Sequence, residues 1–88
     1  VILNSQVLNS YVGTYQLTDF LIEVTRESDA LFITATGETR LPIFSKTETE
    51  FFLKAVDATI TFSKSEEGKV TGLILGINGD NFLGKKIK

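Results

Sequence analysis

The sequence predicts an all-β protein, a small antiparallel eight-stranded up-and-down barrel led in by a short N-terminal helical turn. Three observations carry that expectation. Short runs of alternating apolar and polar residues recur along the whole chain, and turn signals interrupt them roughly every 8 to 12 residues. Crossover helices are missing between these runs, which excludes a parallel sheet. A meander of this many strands either closes on itself or folds over as a sandwich, and closure is favoured because it removes exposed strand edges.

The elements follow in order. "SQVLNS", residues 5–10, is the one helical candidate, a turn or two capped by Asn4 or Ser5. "YVGTYQL" is the first strand. "DFLIEVTR" places Phe20, Ile22 and Val24 on one face and Leu21, Glu23 and Thr25 on the other, after which Glu27, Ser28 and Asp29 turn the chain. "LFITAT" aligns Leu31, Ile33 and Ala35. Gly37 and Glu38 form the next turn before "RLPIF", whose Pro42 cannot donate to a ladder and so belongs at an edge, a bulge or a strand entry.

"TEFFLK" comes next, and "ATITFSK" then sets Ala58, Ile60 and Phe62 against Thr59, Thr61 and Ser63. "SEEGK" is a hairpin loop in which Gly68 supplies positive φ. In "VTGLILGI" the apolar Val70 and Leu73 stand three apart before Leu75 and Ile77 restore the period of two, so a bulge is expected at Gly72. For Gly72 and Gly76 a barrel corner is preferred over a ligand contact. Asn78-Gly79 is the strongest two-residue hairpin signal in the chain, and "NFLGKKI" returns from it.

A length of 88 residues, 42% of them hydrophobic and 23% charged, with a net charge of −2, describes one folded domain over residues 1–88. A domain this small buries only about 60% of its unfolded surface, so its core is marginal. With neither Cys nor His, disulfides and the common zinc sites are out of reach, and a closed barrel or a partner surface has to supply the rest. The balanced charges argue against nucleic acid, which demands clustered Lys and Arg. The terminal Lys85, Lys86 and Lys88 read as a solvated strand end. No apolar run approaches the roughly 18 residues of a membrane-spanning helix. The chain has no Met at all, which is read as a segment processed or cut from something longer.

Inventory removes most chemistry. Without His or Cys there is no Ser-His or Cys-His pair. Ser63, Lys64 and Ser65 are neighbours in a strand and point to opposite faces. Glu48, Glu50, Glu66 and Glu67 read as solvated, with no burial or partner to shift them. "NGDN", Asn78 to Asn81, suggests calcium only superficially, because the turn already explains it. No catalytic residue, metal or cofactor is expected. Tyr15, Phe20, Ile22, Ile33, Ile60, Phe62 and Leu75 should line the interior and would contact any small apolar ligand held there, although a barrel this short is filled by default. Phe51-Phe52 puts an aromatic on each face. Phe32, Phe51 and Phe52 are therefore the candidate partner surface.

The segment "YVGTYQL" is similar to the Gly-x-Trp segment in the first strand of lipocalins and fatty-acid-binding proteins, with Gly13 and Tyr15 in the glycine and aromatic positions. The resemblance implies that Lys85 or Lys86 of the closing strand packs near Tyr15. Over nearly the whole chain, "FFLKAVDATITF" followed by "GKVTGL" resembles the lipocalin-like domain of unknown function appended C-terminally to serine β-lactamase-like hydrolases and D-aminopeptidase-like serine peptidases. Where that family often has His-Gln before the Asn-Gly turn, this chain has Gly76 and Ile77.

The resemblance implies a barrel that follows a catalytic domain bearing a Ser-x-x-Lys nucleophile motif, which this sequence lacks, and a linker ending around Val1 to Asn4. It also implies an exported parent, hence a periplasmic or extracellular site. Three readings follow. The first is a noncatalytic accessory domain that packs on the hydrolase domain of the same chain or on a copy of itself. The second is a barrel binding a small hydrophobic ligand in the calycin manner. The third is an independent enzyme. Exposed Phe32, Phe51 or Phe52 would favour the first, and an enclosed pocket of roughly 300 Å³ behind Tyr15 and Phe20 the second.

Overall fold

The computed structural model describes residues 3–88, so Val1 and Ile2 of the expected linker lie outside the described residues. Helix α1 (Ser5–Tyr11) starts on Asn4, whose Oδ1 accepts a hydrogen bond from the Val7 backbone N at 2.9 Å. Asn4, not Ser5, is therefore the cap. A helix of two turns does not persist on its own in water. This one is held by its buried Leu8 and Tyr11, three apart and so on one side. Tyr11 was expected in the first strand. It ends the helix instead, because Val12 takes an extended conformation and pairing begins only at Gly13.

Eight strands follow, β1 (Gly13–Gln16), β2 (Leu21–Glu27), β3 (Ala30–Ala35), β4 (Leu41–Ser45), β5 (Glu50–Phe52), β6 (Ala58–Lys64), β7 (Val70–Ile77) and β8 (Asp80–Lys86). Each pairs antiparallel with the next, and β8 returns to β1 to close the barrel. The turn chemistry is as the sequence indicates. Asn78 and Gly79 both take positive φ, 54° and 83°, the signature of a type I′ hairpin. Gly37 and Gly68 also adopt positive φ in their turns.

Two irregularities shape the sheet. Between β6 and β7 the register steps from Ser63↔Gly72 to Lys64↔Val70, which leaves Thr71 as the extra residue of a bulge. Pro42 faces Phe32 of β3, on the part of β4 that β5 does not pair with, since that ladder holds only Phe44↔Phe52 and Ser45↔Phe51. It sits in effect at a local edge, where a missing N–H is tolerated.

The core is continuous from Leu8 and Tyr11 under the helix through Tyr15, Ile22, Val24, Leu31, Ile60 and Leu73. Gly84 of β8 faces this core, and a Cβ placed there would lie 2.8 Å from Leu17 Cδ1 and 3.4 Å from Leu73 Cδ1. Two leucines thus occupy the space that a side chain at 84 would need. The interior is packed from the sides because one strand contributes no bulk at this level.

Two substitutions test this packing by chemical denaturation. Ile60→Ala should lose about 2 to 5 kcal/mol, as a fully buried aliphatic does. Gly84→Ala should lose about 1 to 3 kcal/mol by overpacking against Leu17 and Leu73. A loss under about 0.5 kcal/mol for Ile60→Ala would put that face at the surface.

Candidate functional site

Four aromatic rings gather beneath α1. Tyr11 stacks on Phe62 with centroids 4.1 Å apart and planes at 11°. Phe51 meets both edge-on, at 5.7 Å from Tyr11 and 5.5 Å from Phe62, and Tyr15 leans on Phe62 at 5.9 Å. The polar ends are all spent on backbone. Tyr15 Oη donates to the Tyr11 carbonyl at 2.8 Å, and Tyr11 Oη donates to the Glu48 carbonyl. Lys86 Nζ donates to the Ser10 carbonyl at 3.2 Å, placing a cation at the C-terminal turn of the helix, where it is favoured. The register puts Lys86 opposite Tyr15, so of the two lysines left open by the resemblance it is Lys86 that lies beside this aromatic.

Gly13 is what allows the arrangement. It sits at φ 155°, and a Cβ there would collide with the Lys88 carbonyl oxygen and come within 2.7 Å of Lys86 Cε. The lysine stem crosses directly over the glycine on its way to the helix end.

This cluster is poorly suited to acid-base or nucleophilic work. Burial pushes the Tyr11 phenol above its ordinary value, with the Lys64 ammonium opposing part of the rise. Tyr15 is raised further by its deeper burial, and a charge on Tyr11 would raise it again. Both are neutral donors near pH 7. Glu48, Glu50, Glu66 and Glu67 are all exposed, and Glu48 reaches Lys64 at 3.8 Å. Among the described residues no three Asp, Glu, His or Cys side chains gather as a metal site, and no helix is long and apolar enough to cross a membrane.

Of the seven expected interior residues, Tyr15, Ile22, Ile33, Ile60 and Phe62 are buried in the core. Phe20 and Leu75 pack against it only partly covered, at the end of the barrel away from α1. Phe82, paired with Leu75, is 43% exposed at the same rim. Among the described residues four concavities stand out, and none is lined by any of the seven, although one of about 350 Å³ at the helix end reaches the core side chains Leu8, Leu31, Ile43 and Phe51. The enclosed space behind Tyr15 and Phe20 that the ligand reading needs is not among them. Leu17 and Leu73, packed against Gly84, fill the interior at this level.

The three partner-surface candidates separate. Phe51 is 3% exposed, so its place on a partner surface is corrected. It pairs with Ile60, an inward position, and its ring completes the cluster under the helix. Phe52 faces outward beside Phe44, with centroids 5.8 Å apart and the Lys54 ammonium 4.4 Å from the Phe44 ring. Phe32 also faces outward, under the Arg40 guanidinium at 4.0 Å, which in turn pairs with Glu27 at 2.8 Å. Three residues escaped the sequence reading, namely Tyr11, Phe44 and Leu83. Alternation in "RLPIF" and "NFLGKKI" puts Phe44 opposite Ile43 in facing, and Leu83 opposite Gly84, so the signal for both was present.

The buried phenols give a pH prediction. Their folded-state pKa values lie above the unfolded value near 10, so the folded barrel keeps protons that the unfolded chain releases. Stability is then complete below about pH 10 and falls as pH rises beyond it. Tyrosinate absorbance, which in this chain can come only from its two tyrosines, should appear together with unfolding. Smooth titration near pH 10 with the barrel intact would contradict the burial.

Comparison with known proteins places these features in a family. The family described as "Domain of unknown function (DUF3471)" matches residues 1–86. Penicillin-binding protein 4* of Bacillus subtilis (strain 168) is 33% identical over 66 residues, covering 74% of this chain. The aligned part is only 15% of that relative's length. No solved structure gives a significant match. With its whole length but the last two residues matched, and with an eight-stranded closed barrel behind that match, the chain belongs to the DUF3471 family.

Proposed function

We propose that this barrel is a noncatalytic accessory domain of a serine β-lactamase-like hydrolase, acting through its outer surface in assembly or in access to the active site. The observation that carries the reading is the match to a small fraction, 15%, of a penicillin-binding protein. The barrel's construction supports it. Its interior is occupied by its own side chains, its buried phenols are neutral and bonded to backbone, and its carboxylates stand exposed. What the domain offers to other molecules is its exterior. There the outward rings of Phe32, Phe44 and Phe52 give β3 to β5 an aromatic face.

The test compares the longer parent chain, intact and truncated before Leu3, by covalent labelling with a fluorescent penicillin, by turnover and by native mass spectrometry. The truncated parent should keep its label and lose its assembly state or at least about tenfold in turnover. The isolated barrel should take no label. A truncated parent that matches the intact one in every readout overturns the proposal. An isolated barrel that carries a lipid-sized adduct replaces it with the ligand-binding reading.

A further inference from the structure

Arg26 is a cation held in place by neutral groups alone. It follows Ile22 and Val24 on β2 with the same facing, and at the rim beside α1 it is half-buried. Its Nε donates to the Ser28 carbonyl at 2.6 Å, its Nη1 to Asn9 Oδ1 at 2.8 Å and its Nη2 to Ser5 Oγ at 3.2 Å. Among the described residues no carboxylate lies within ion-pair distance of it. Glu27, its neighbour in the chain, pairs with Arg40 instead, and Asp29 borders the separate concavity beside Leu31.

The guanidinium opens on a hollow of about 440 Å³ lined by Asn9, Val12, Thr25, Arg26 and Ser28. None of these side chains is acidic. Donors are in excess there, since a guanidinium carries five N–H groups and two of them, one on each Nη, are still unspent. Asn9 Oδ1 accepts from the arginine, so its amide nitrogen stays available to donate. At the edge, Thr25 Oγ1 is shielded from solvent and has no hydrogen-bond partner, a cost that an acceptor in the hollow would relieve once the side chain rotates about χ1.

We propose that this hollow binds the carboxylate of a small molecule. The carboxylate accepts from the two unspent Nη groups and from the Asn9 amide, and Val12, 37% exposed, meets the body that carries it. Hydrogen bonds between a guanidinium and a carboxylate are roughly twice as strong as neutral ones. A single cation suits a monoanion, because the second charge of a phosphate would go unmet. The arginine is already fixed by three elements, so binding does not have to order it. A residue that only tied α1 to β2 would be served better by aspartate at position 9, which differs from Asn9 by one atom and would neutralise Arg26. The hollow lies outside the filled core, and the proposal does not rest on the accessory reading.

The test is a heteronuclear NMR titration of the 88-residue chain with N-acetylglycinate, ionised at about pH 7, with its neutral amide and with inorganic phosphate, all at one ionic strength. N-acetylglycinate should shift the Arg26 Nε–H and Asn9 side-chain amide signals saturably, with Kd on the order of 1 mM. The neutral amide should bind at least about tenfold more weakly. Arg26→Gln should abolish the response, and because it also loosens the helix, Asn9→Asp is the decisive variant. Its own carboxylate should take the ligand's place, weakening binding at least about tenfold while thermal unfolding stays at or above the wild-type midpoint. Absence of saturation into the tens of millimolar overturns the site, as does an equal response to the neutral amide or Asn9→Asp that binds like the wild type. Phosphate binding more tightly than N-acetylglycinate overturns the carboxylate assignment. None of these results bears on the parent's penicillin label or turnover, by which the accessory reading is judged.

Discussion

The seam between β1 and β8 holds two residue pairs, Tyr15 with Lys86 and Gln16 with Lys85, and the barrel is free of open edges because this short seam closes. The backbone extends the seam past the strand ends. Thr14 N donates to the Lys88 carbonyl and Ile87 N to the Thr14 carbonyl. The helix then fastens across it, with Lys86 on the Ser10 carbonyl and Tyr15 on the Tyr11 carbonyl. Gly13 makes the crossing possible by leaving room for the Lys86 stem. Closure, helix docking and the aromatic cluster are therefore one event. A chain this small, with no cysteine to staple it, has few other ways to bury enough apolar surface.

Closure also shapes the interior. Each inward aliphatic side chain contributes about 1.5 to 3 kcal/mol when fully buried, and a cavity in so small a core would forfeit part of that. Leu17 and Leu73 close over Gly84, and the rings of Tyr11, Phe51 and Phe62 pack the helix end. The exterior is not uniform. The outward side of β6 presents Thr59, Thr61 and Ser63. On β3 to β5 the outward rings are covered in part by the cations of Arg40 and Lys54, contacts worth about 0.5 to 1 kcal/mol at exposed sites. These rings already have partners within the chain. Leu83 stands largely uncovered.

Much of this was legible in the sequence. The strands "ATITFSK" and "VTGLILGI" coincide with β6 and β7, the Asn-Gly turn takes its expected geometry, and the bulge lies next to Gly72. The candidate site was less legible. Ile22, Ile33, Ile60 and Phe62 are inward as alternation indicates, while Phe20 and Leu75 have the right facing but lie near a rim, where facing does not guarantee burial. Tyr11 looked like strand because "YVGTYQL" alternates well, and a two-turn helix has too little sequence to show a period of its own.

By itself the sequence determined the period-two pattern, the turns and the meander, since these depend on residues close in the chain and on backbone conformations that Gly, Asn and Pro prefer. It could not choose between Phe51 and Phe52, because both are aromatic and alternation fixes only that they point apart. The tertiary structure made that choice by placing Ile60 opposite Phe51 and Tyr11 above it. It also decided which lysine meets the helix, because that depends on the register of strands brought together by closure. Register is a property of pairs of strands, and a single strand's sequence does not contain its partner's position.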